Sequence, residues 1–181
     1  MVAKQVADFI TATRGLLVFI FPSIGVLFGE EALPWAAAFL AANWTGDSID
    51  GPLARRSSRQ YRSWVGDHDL EIDIAVSIGL LIYMLFAGFM KPLIVILYLL
   101  GGAAFFKWFG IPRSMGMLFQ APIYAWFIFV SLKFAPVAGW VLIAWLMAAL
   151  ALTWPKFPKE VVPDFVNGVK ALFRHDQQPN L

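Results

Sequence analysis

Residues 46–73 read GDSIDGPLARRSSRQYRSWVGDHDLEID, and the rest of the chain is organised around this stretch. It carries four carboxylates, Asp47, Asp50, Asp69 and Asp73, between long apolar runs on both sides. These runs are long enough to cross a bilayer, which places the four charges at or near a membrane. Ionisable groups at membrane depth are costly and usually serve a function. We therefore take this stretch as the candidate functional site.

The composition of the whole chain is typical of a membrane protein. Of its 181 residues, 60% are hydrophobic and only 14% are charged, and the mean hydropathy is +0.70. An average soluble domain is about 45–50% apolar and about 25% charged. The chain has no cysteine, which excludes disulfide and thiolate chemistry, and its net charge of +2 argues against nucleic-acid binding.

The apolar runs predict an all-α integral membrane protein with six transmembrane helices. Each run approaches the roughly 20 residues that a helix needs to cross a hydrocarbon core of about 30 Å. The predicted helices cover residues 5–28, 33–54, 69–86, 93–109, 115–132 and 137–154. Gly101 and Gly102 predict that the fourth helix packs closely against a neighbour, because small residues let helices approach each other.

A tail, residues 157–181, follows the six-helix domain, which we place at residues 1–156. Apolar residues recur in the tail at helical spacing and predict an amphipathic helix. They are Val162, Phe165, Val166, Val169, Leu172 and Phe173. This helix would lie on the cytoplasmic leaflet, or it would pack against the protein's own helices or a partner subunit.

The basic residues concentrate on one side of the predicted bilayer. With a cytoplasmic N-terminus, ten fall on the inner side and two, Lys91 and Lys133, fall in outer loops. The inner set is Lys4, Arg55, Arg56, Arg59, Arg62, Arg113, Lys156, Lys159, Lys170 and Arg174. Cytoplasmic loops carry an excess of Lys and Arg. We therefore expect a multi-pass plasma-membrane protein with both termini and residues 46–73 in the cytoplasm.

The four carboxylates form two pairs, each on one face of a helix. Asp47 and Asp50 are three residues apart near the end of the second predicted helix. Asp69 and Asp73 are four residues apart at the start of the third. These consecutive helices are predicted to be antiparallel neighbours, so both pairs can point into one cavity. Four carboxylates at that range need cations. Oxygen-only ligands favour Mg²⁺, Mn²⁺ or Ca²⁺, and two ions about 3.5–4 Å apart would suit displacement at phosphorus.

Small residues accompany the carboxylates. Gly51 and Ala54 follow Asp50, and Gly66 is expected to share the helix face of the second pair. Small side chains let a bulky ligand such as a metal-held nucleotide diphosphate approach the backbone. The structural alternative is that helix-end carboxylates balance the arginines of the connection. That alternative does not explain Asp47 and Asp50, because the helix dipole disfavours a carboxylate near a C-terminus.

This pattern resembles the motif of the CDP-alcohol phosphatidyltransferase family, D-x2-D-G-x2-A-R followed by G-x3-D-x3-D. Residues 47–55, DSIDGPLAR, match the first half at every fixed position. In the second half Asp69 and Asp73 match, whereas Val65 stands where the family has Gly, and Gly66 comes one residue later. Six membrane helices with the motif on the second and third are also that family's layout, so the resemblance covers roughly residues 5–155.

The resemblance implies a phosphotransferase of phospholipid synthesis in the lipid bilayer. Such an enzyme transfers a phosphoalcohol (phosphatidyl) group from a CDP-linked donor to a polar acceptor alcohol and releases CMP. CDP-diacylglycerol is the favoured donor, with a CDP-amino alcohol as the alternative. Members with different acceptors share the motif, so the acceptor stays open. Dimers are common in the family, and a homodimer is a further expectation.

The resemblance also assigns roles to residues of the motif. Two metal ions, Mg²⁺ or Mn²⁺, would be bound by Asp47, Asp50, Asp69 and Asp73. Asp73 would in addition be the catalytic general base that takes the proton of the acceptor alcohol. The nucleotide would be bound by Asp50, Gly51, Ala54, Arg55 and Gly66.

Three basic residues outside the motif are candidates for binding a phosphate of the acceptor or the donor. They are Arg113, Lys107 and Arg14. For Arg113 the alternative role is anchoring on the inner side of the membrane. Arg14 lies inside the first predicted helix and needs a polar partner there, for which Asp8 is the alternative to a substrate phosphate.

Other polar and aromatic residues are predicted to have structural roles. Thr11 and Thr13 are expected to bond to carbonyl groups of their own helix, and His68 is expected to be solvated or hydrogen-bonded. Four tryptophans fall near helix ends and are predicted to be interfacial anchors; they are Trp35, Trp64, Trp108 and Trp154.

Two alternative functions stay open beside phosphoalcohol transfer. Paired intramembrane carboxylates also build ion paths, so the chain could instead bind or transport divalent cations. The departure at Val65 and Gly66 motivates a second alternative, a family member that keeps the fold and the metals but has lost turnover.

Overall fold

The computed structural model describes residues 3–55, 63–155 and 157–174, and within these ranges the chain is all-helical. We number the α-helices in chain order as α1 (Ala3–Gly15), α2 (Leu17–Phe28), α3 (Leu33–Arg55), α4 (Trp64–Asp67), α5 (Asp69–Phe86), α6 (Pro92–Phe109), α7 (Arg113–Phe134), α8 (Pro136–Thr153) and α9 (Val162–Arg174). A 3₁₀ turn, Gly29–Ala32, joins α2 to α3, and a π-helical turn, Phe157–Val161, precedes α9.

The predicted helices agree with the observed ones, with one interruption. The third predicted helix, residues 69–86, coincides with α5, and the other ends shift by a few residues at most. The first predicted helix is divided at Leu16 into α1 and α2. Gly15 directly precedes the division, and glycine is the weakest helix former apart from proline.

Four segments of the described residues are long and apolar enough to cross a membrane. They are Ala3–Asp50, Pro92–Phe109, Arg113–Phe134 and Pro136–Thr153. The first is 48 residues long and includes both α1–α2 and most of α3. Helix α5 has the 18-residue length of the shortest of these segments but carries Asp69, Glu71 and Asp73 in its first two turns.

The core forms where α2 and α5 run side by side with their backbones close together. A Cβ atom added to Gly79 of α5 would lie 3.0 Å from the carbonyl oxygen of Val18, and one added to Gly25 of α2 would lie 3.1 Å from that of Tyr83. Around this helix pair α1 packs against α3, α5 against α7, and α7 against α8. Phe21, Tyr83 and other large side chains of α2, α3, α5 and α7 fill the centre. This packing fixes α5, and with it one of the two carboxylate pairs.

The two glycines of α6 behave differently. Gly102 is buried, and a side chain there would collide with the ring of Phe119 on α7, which confirms the predicted close packing. Gly101 is exposed and has no atom within 4 Å of an added Cβ, so the prediction of close packing was wrong for this residue. The two positions are about 100° apart on the helix, and only one of them faces α7.

The predicted amphipathic helix of the tail is present as α9. It packs against α7, and an added Cβ on Gly168 would lie 2.8 Å from Ser114 Oγ. Phe165 is partly buried, whereas Val162 and Val166 on the same stripe are exposed. Part of the apolar stripe therefore packs against the protein's own helices, and part remains open. Leu172 and Phe173 lie outside the residues whose side chains are described.

Candidate functional site

The guanidinium of Arg14 on α1 contacts all four carboxylates. Its Nη1 donates to Asp50 Oδ2 at 2.6 Å and to Asp69 Oδ1 at 3.4 Å. Its Nη2 donates to Asp47 Oδ1 at 3.1 Å and to Asp73 Oδ1. The two pairs, 47/50 on α3 and 69/73 on α5, therefore meet in one place, as predicted. The predicted reason was wrong, because the described residues of α3 and α5 do not pack against each other as direct neighbours. Both helices pack against α1, and Arg14 of α1 joins the two pairs.

The local structure of α3 and α5 places the two carboxylates of each pair on one face of its helix. Asp47 and Asp50 lie about one turn apart on α3, and Asp69 is the first residue of α5 with Asp73 one turn later. Gly46 makes room for Arg14, because an added Cβ at this position would lie 2.9 Å from Arg14 Cδ. Arginine thus reaches across α3 over a residue that has no side chain.

The four carboxylates differ in exposure. The side chain of Asp50 is only 7% exposed, and its Oδ2 also accepts a hydrogen bond of 3.0 Å from Thr11 Oγ1. Asp47 and Asp69 are 50% and 41% exposed, and Asp73 is 19% exposed. Asp50 is therefore held by two side chains of α1, while the other three carboxylates are more exposed.

These three carboxylates could hold a metal ion together. Asp47, Asp69 and Asp73 each offer one oxygen, and these atoms all lie within 4.8 Å of one another. The donor set is oxygen only and fits a hard divalent cation such as Mg²⁺ or Mn²⁺. Four carboxylates against one guanidinium also leave an excess of negative charge, which a cation would offset.

A polar stripe on α1 faces this cluster, and it corrects two predictions. Asp8 pairs with Lys4, with Lys4 Nζ 2.8 Å from Asp8 Oδ1, and is not the partner of Arg14. Thr11 bonds to Asp50 instead of its own helix. Thr13 is exposed and donates to the carbonyl of Phe9 at 2.8 Å, as predicted. The buried face of α1 carries Thr11 and Arg14 toward α3, whereas Thr13 lies on the opposite side.

Asn43 is a site residue that sequence reasoning did not single out. It is 3% exposed, and its Oδ1 accepts a hydrogen bond of 3.3 Å from Arg14 Nε. It lies four residues before Asp47 on α3, which is one helical turn. An amide in an apolar run, one helical turn before Asp47, is the sequence feature that could have identified Asn43 as a site residue.

The connection between the motif halves differs from the expectation for Gly66. Helix α4 ends at Asp67 and α5 begins at Asp69, with His68 between them outside helical geometry. Gly66 is therefore not on the same helix face as the pair at 69 and 73, and that prediction was wrong. Gly66 lies instead beside Lys4 Nζ and near Ser63, whose Oγ accepts the Gly66 N–H at 3.2 Å.

The neighbouring His68 and the tryptophans keep structural roles in the described residues. His68 Nδ1 lies 2.8 Å from the carbonyl oxygen of Trp64, as expected of a hydrogen-bonded histidine, and the two rings stack. The tryptophans at positions 35, 64, 108 and 154 are all exposed. Their placement at a membrane interface stays a prediction.

The remaining members of the predicted nucleotide site lie at the edge of the described region. Gly51, Ala54 and Arg55 belong to α3, but only their backbone is described. Arg56, Arg59 and Arg62 also lie outside the described residues. Their predicted roles stay predictions.

Arg113 and Lys107 do not contact the carboxylates. Arg113 is the exposed first residue of α7, within electrostatic range of Asp47. Together with Ser114 it lines a cleft of about 650 Å³ between α7 and the α9 region, where Glu160 and Asp164 also contribute. Lys107 is exposed in the last turn of α6. Of the three basic candidates, only Arg14 is a member of the cluster.

An aromatic group lies on α3 one turn before the carboxylates and was not predicted. The ring of Trp44 packs edge-on against Tyr124 of α7, with centroids 5.5 Å apart, and lies tilted against Trp145 of α8 at a centroid distance of 5.3 Å. Trp145 Nε1 donates to Thr45 Oγ1 at 2.9 Å. These contacts join α7 and α8 to the part of α3 that carries the first pair.

Comparisons of the chain with protein-family models, with curated proteins and with solved structures gave no match. Function is therefore inferred from the motif and from the geometry of its residues.

Proposed function

We propose that the chain is a membrane phosphotransferase of the CDP-alcohol phosphatidyltransferase type. It would transfer a phosphoalcohol group from a CDP-linked donor, with CDP-diacylglycerol favoured, to an acceptor alcohol and release CMP. The observation that carries the proposal is the convergence on one guanidinium of the four carboxylates that the motif D-x2-D…D-x3-D specifies. Asp47 and Asp69 are 22 positions apart in sequence, yet each offers a carboxylate oxygen within 4.8 Å of the other, which a shared metal ion would require.

Asp47, Asp69 and Asp73 are the residues that would hold a divalent cation, since their oxygens lie within 4.8 Å of one another. When bound, Mg²⁺ or Mn²⁺ would neutralise the charge of the donor diphosphate. Asp50 would support the same site from within the protein. A second ion, which the resemblance implies, is part of the proposal.

Asp73 is the residue proposed to act as the base. Its Oδ1 accepts the bond from Arg14, so Oδ2 is the atom proposed to take the proton of the acceptor hydroxyl. The acceptor oxygen then forms a bond to the phosphorus that carries the alcohol or lipid group. The bond from that phosphorus to the bridging oxygen of CMP breaks, and CMP leaves with the electron pair. Asp73 is partly exposed, which allows an acceptor to reach it.

The membrane topology that we propose has six crossings. The segment Ala3–Asp50 contains two helical arms, α1–α2 and α3, on either side of a 3₁₀ turn. Helix α5 would be a further crossing whose acidic residues lie at one end. With α6, α7 and α8 this makes six, and the excess of basic residues on one side favours a cytoplasmic site in the plasma membrane.

The test is CMP release by the purified protein with CDP-diacylglycerol, Mg²⁺ or Mn²⁺ and a panel of acceptor alcohols. We expect turnover that is abolished in Asp73→Asn and retained in Glu71→Gln. Glu71 is a matched control because it is an exposed acid on the same helix, outside the cluster. Absence of CMP release with every donor and acceptor, under conditions in which a related enzyme is active, would refute the proposal.

The same experiments separate the two alternative functions. A cation transporter predicts divalent-cation flux in proteoliposomes without binding of CMP. The position of Arg14 argues against that function, because a fixed positive charge inside the cluster would oppose the passage of cations. A family member without turnover predicts tight binding of CDP or CMP without product.

A further inference from the structure

We infer that Arg14 is a positioning residue, which holds the carboxylates of α3 and α5 in the arrangement that a divalent cation needs, and that it does not bind a substrate phosphate. This inference rests on the metal site of the proposed function. It replaces the role that the sequence suggested for this arginine.

The donor count of Arg14 supports this role. A guanidinium has five N–H donors and no acceptor. Arg14 makes five hydrogen bonds, from Nε to Asn43, from Nη1 to Asp50 and Asp69, and from Nη2 to Asp47 and Asp73. All its donors are thus directed to acceptors of the protein, and none is left for a phosphate.

The burial of Arg14 points the same way. The residue is 4% exposed, and Gly46 of α3 lies directly beneath its side chain. A phosphate would have to displace at least one of the surrounding carboxylates to reach the guanidinium. The planar fork of arginine directs five donors at fixed angles, whereas the ammonium of lysine has only three and cannot satisfy all five acceptors.

Thr11 extends the same support. Its hydroxyl donates to the Asp50 oxygen that also accepts from Arg14, so two residues of α1 fix one carboxylate of α3. Because the fixed Asp50 holds the guanidinium of Arg14 in place, the same guanidinium positions the carboxylates of Asp47, Asp69 and Asp73. Groups that orient the ligands of a metal typically contribute 10–100-fold to metal affinity.

The experiment measures binding of Mn²⁺ alone, by electron paramagnetic resonance titration of the full-length protein in detergent micelles, beside the donor KM and kcat. We expect Arg14→Gln to raise the Mn²⁺ dissociation constant roughly 10–100-fold, and Arg14→Lys to restore binding in part. Thr11→Val should also raise the Mn²⁺ dissociation constant, but by a smaller factor. Thr13→Val is the matched control and should leave Mn²⁺ binding unchanged, because Thr13 is exposed and bonds only within α1.

Three results would overturn the inference. Unchanged Mn²⁺ binding in Arg14→Gln with a raised donor KM would make Arg14 a substrate ligand. Tighter Mn²⁺ binding in Arg14→Gln would show that the guanidinium of Arg14 competes with the metal ion for the carboxylates. Absence of Mn²⁺ binding by the wild-type protein would remove the site. If Arg14→Gln does not fold, the comparison of Thr11→Val with Thr13→Val decides. Mn²⁺ binding that depends on Arg14 in a protein without CMP release would refute the proposed function and support the inference.

Discussion

Nη1 of Arg14 and Oδ2 of Asp50 lie 2.6 Å apart, although the two residues are 36 positions apart in sequence. Their side chains are only 5% and 7% exposed, so the pair is buried. A buried ion pair is tolerated where further hydrogen bonds satisfy both partners, and Thr11 and Asn43 supply such bonds. The pair therefore ties α1 to α3 at the point where the candidate site is assembled.

Replacing Asp50 with Asn should destabilise the protein strongly. The substitution removes one of two charges in a buried pair, which typically costs about 3–5 kcal/mol. The other carboxylates around Arg14 offset part of this loss. We expect a fall in the apparent melting temperature of several degrees in detergent micelles.

Asp47→Asn is the matched control for this substitution, because Asp47 bonds to the same guanidinium but is 50% exposed. An exposed ion pair contributes about 0–1 kcal/mol, so its melting temperature should change little, although Mn²⁺ binding should weaken. Equal melting temperatures of the two variants would contradict the structural role of Asp50.

Adding a methyl group at Gly46 should disturb Arg14. The new Cβ would lie 2.9 Å from Arg14 Cδ and 3.2 Å from Ile10 Cγ2, so the arginine side chain or α1 must shift. Alanine favours a helix over glycine by about 1 kcal/mol, and without the contact Gly46→Ala would stabilise α3. We expect instead a lower melting temperature and weaker Mn²⁺ binding.

The control for Gly46→Ala is Ser48→Ala on the same helix. Ser48 is exposed and its hydroxyl bonds to the carbonyl of Trp44. This variant should retain the melting temperature and the Mn²⁺ affinity of the wild type. A Gly46→Ala protein that is more stable and binds Mn²⁺ normally would show that the space above Gly46 is not needed.

The helices and the placement of each carboxylate pair on one helix face could be predicted from the sequence, whereas the prediction that α3 and α5 are direct neighbours was wrong. Apolar runs bounded by charges and glycines define a helix such as α5, and spacings of three and four place each pair of carboxylates on one face. The partners of Arg14 could not be predicted in the same way. They depend on which face of α1 meets α3, and this is a tertiary contact that no local pattern specifies.

A partial signal for these partners was nevertheless present. Lys4, Asp8, Thr11 and Arg14 follow one another at intervals of four, three and three residues, which marks one face of a helix. The end of α4 at Asp67 gave no comparable signal, because a single residue, His68, separates it from α5. The prediction for Gly66 failed at this point.

Adding a methyl group at Gly79 should destabilise the packing of α2 against α5. The new Cβ would lie 3.0 Å from the carbonyl oxygen and 3.1 Å from the Cα of Val18. Both are backbone atoms, which cannot rotate away, so the helices must move apart. We expect Gly79→Ala to lower the melting temperature by a few degrees.

Gly101→Ala on α6 provides the control for Gly79→Ala. No atom lies within 4 Å of a Cβ at that position, so the variant should gain up to about 1 kcal/mol from helix propensity. The two substitutions are chemically identical and should shift the melting temperature in opposite directions. A stabilising effect of Gly79→Ala would show that the two backbones are not in close contact.

Adding a methyl group at Gly168 should loosen α9 from α7. The new Cβ would lie 2.8 Å from Ser114 Oγ and 2.9 Å from Ser114 Cβ, so α9 must move outward. We expect faster amide hydrogen exchange in α9 for Gly168→Ala, and no change for Asn167→Ala at the exposed neighbouring position. Replacing Ser114 with Gly removes both contacting atoms, so the double variant Gly168→Ala/Ser114→Gly should exchange more slowly than Gly168→Ala. If the second substitution brings no recovery, α9 is not held at this contact, and its exposed residues Val162 and Val166 become the surface to test for binding to lipid.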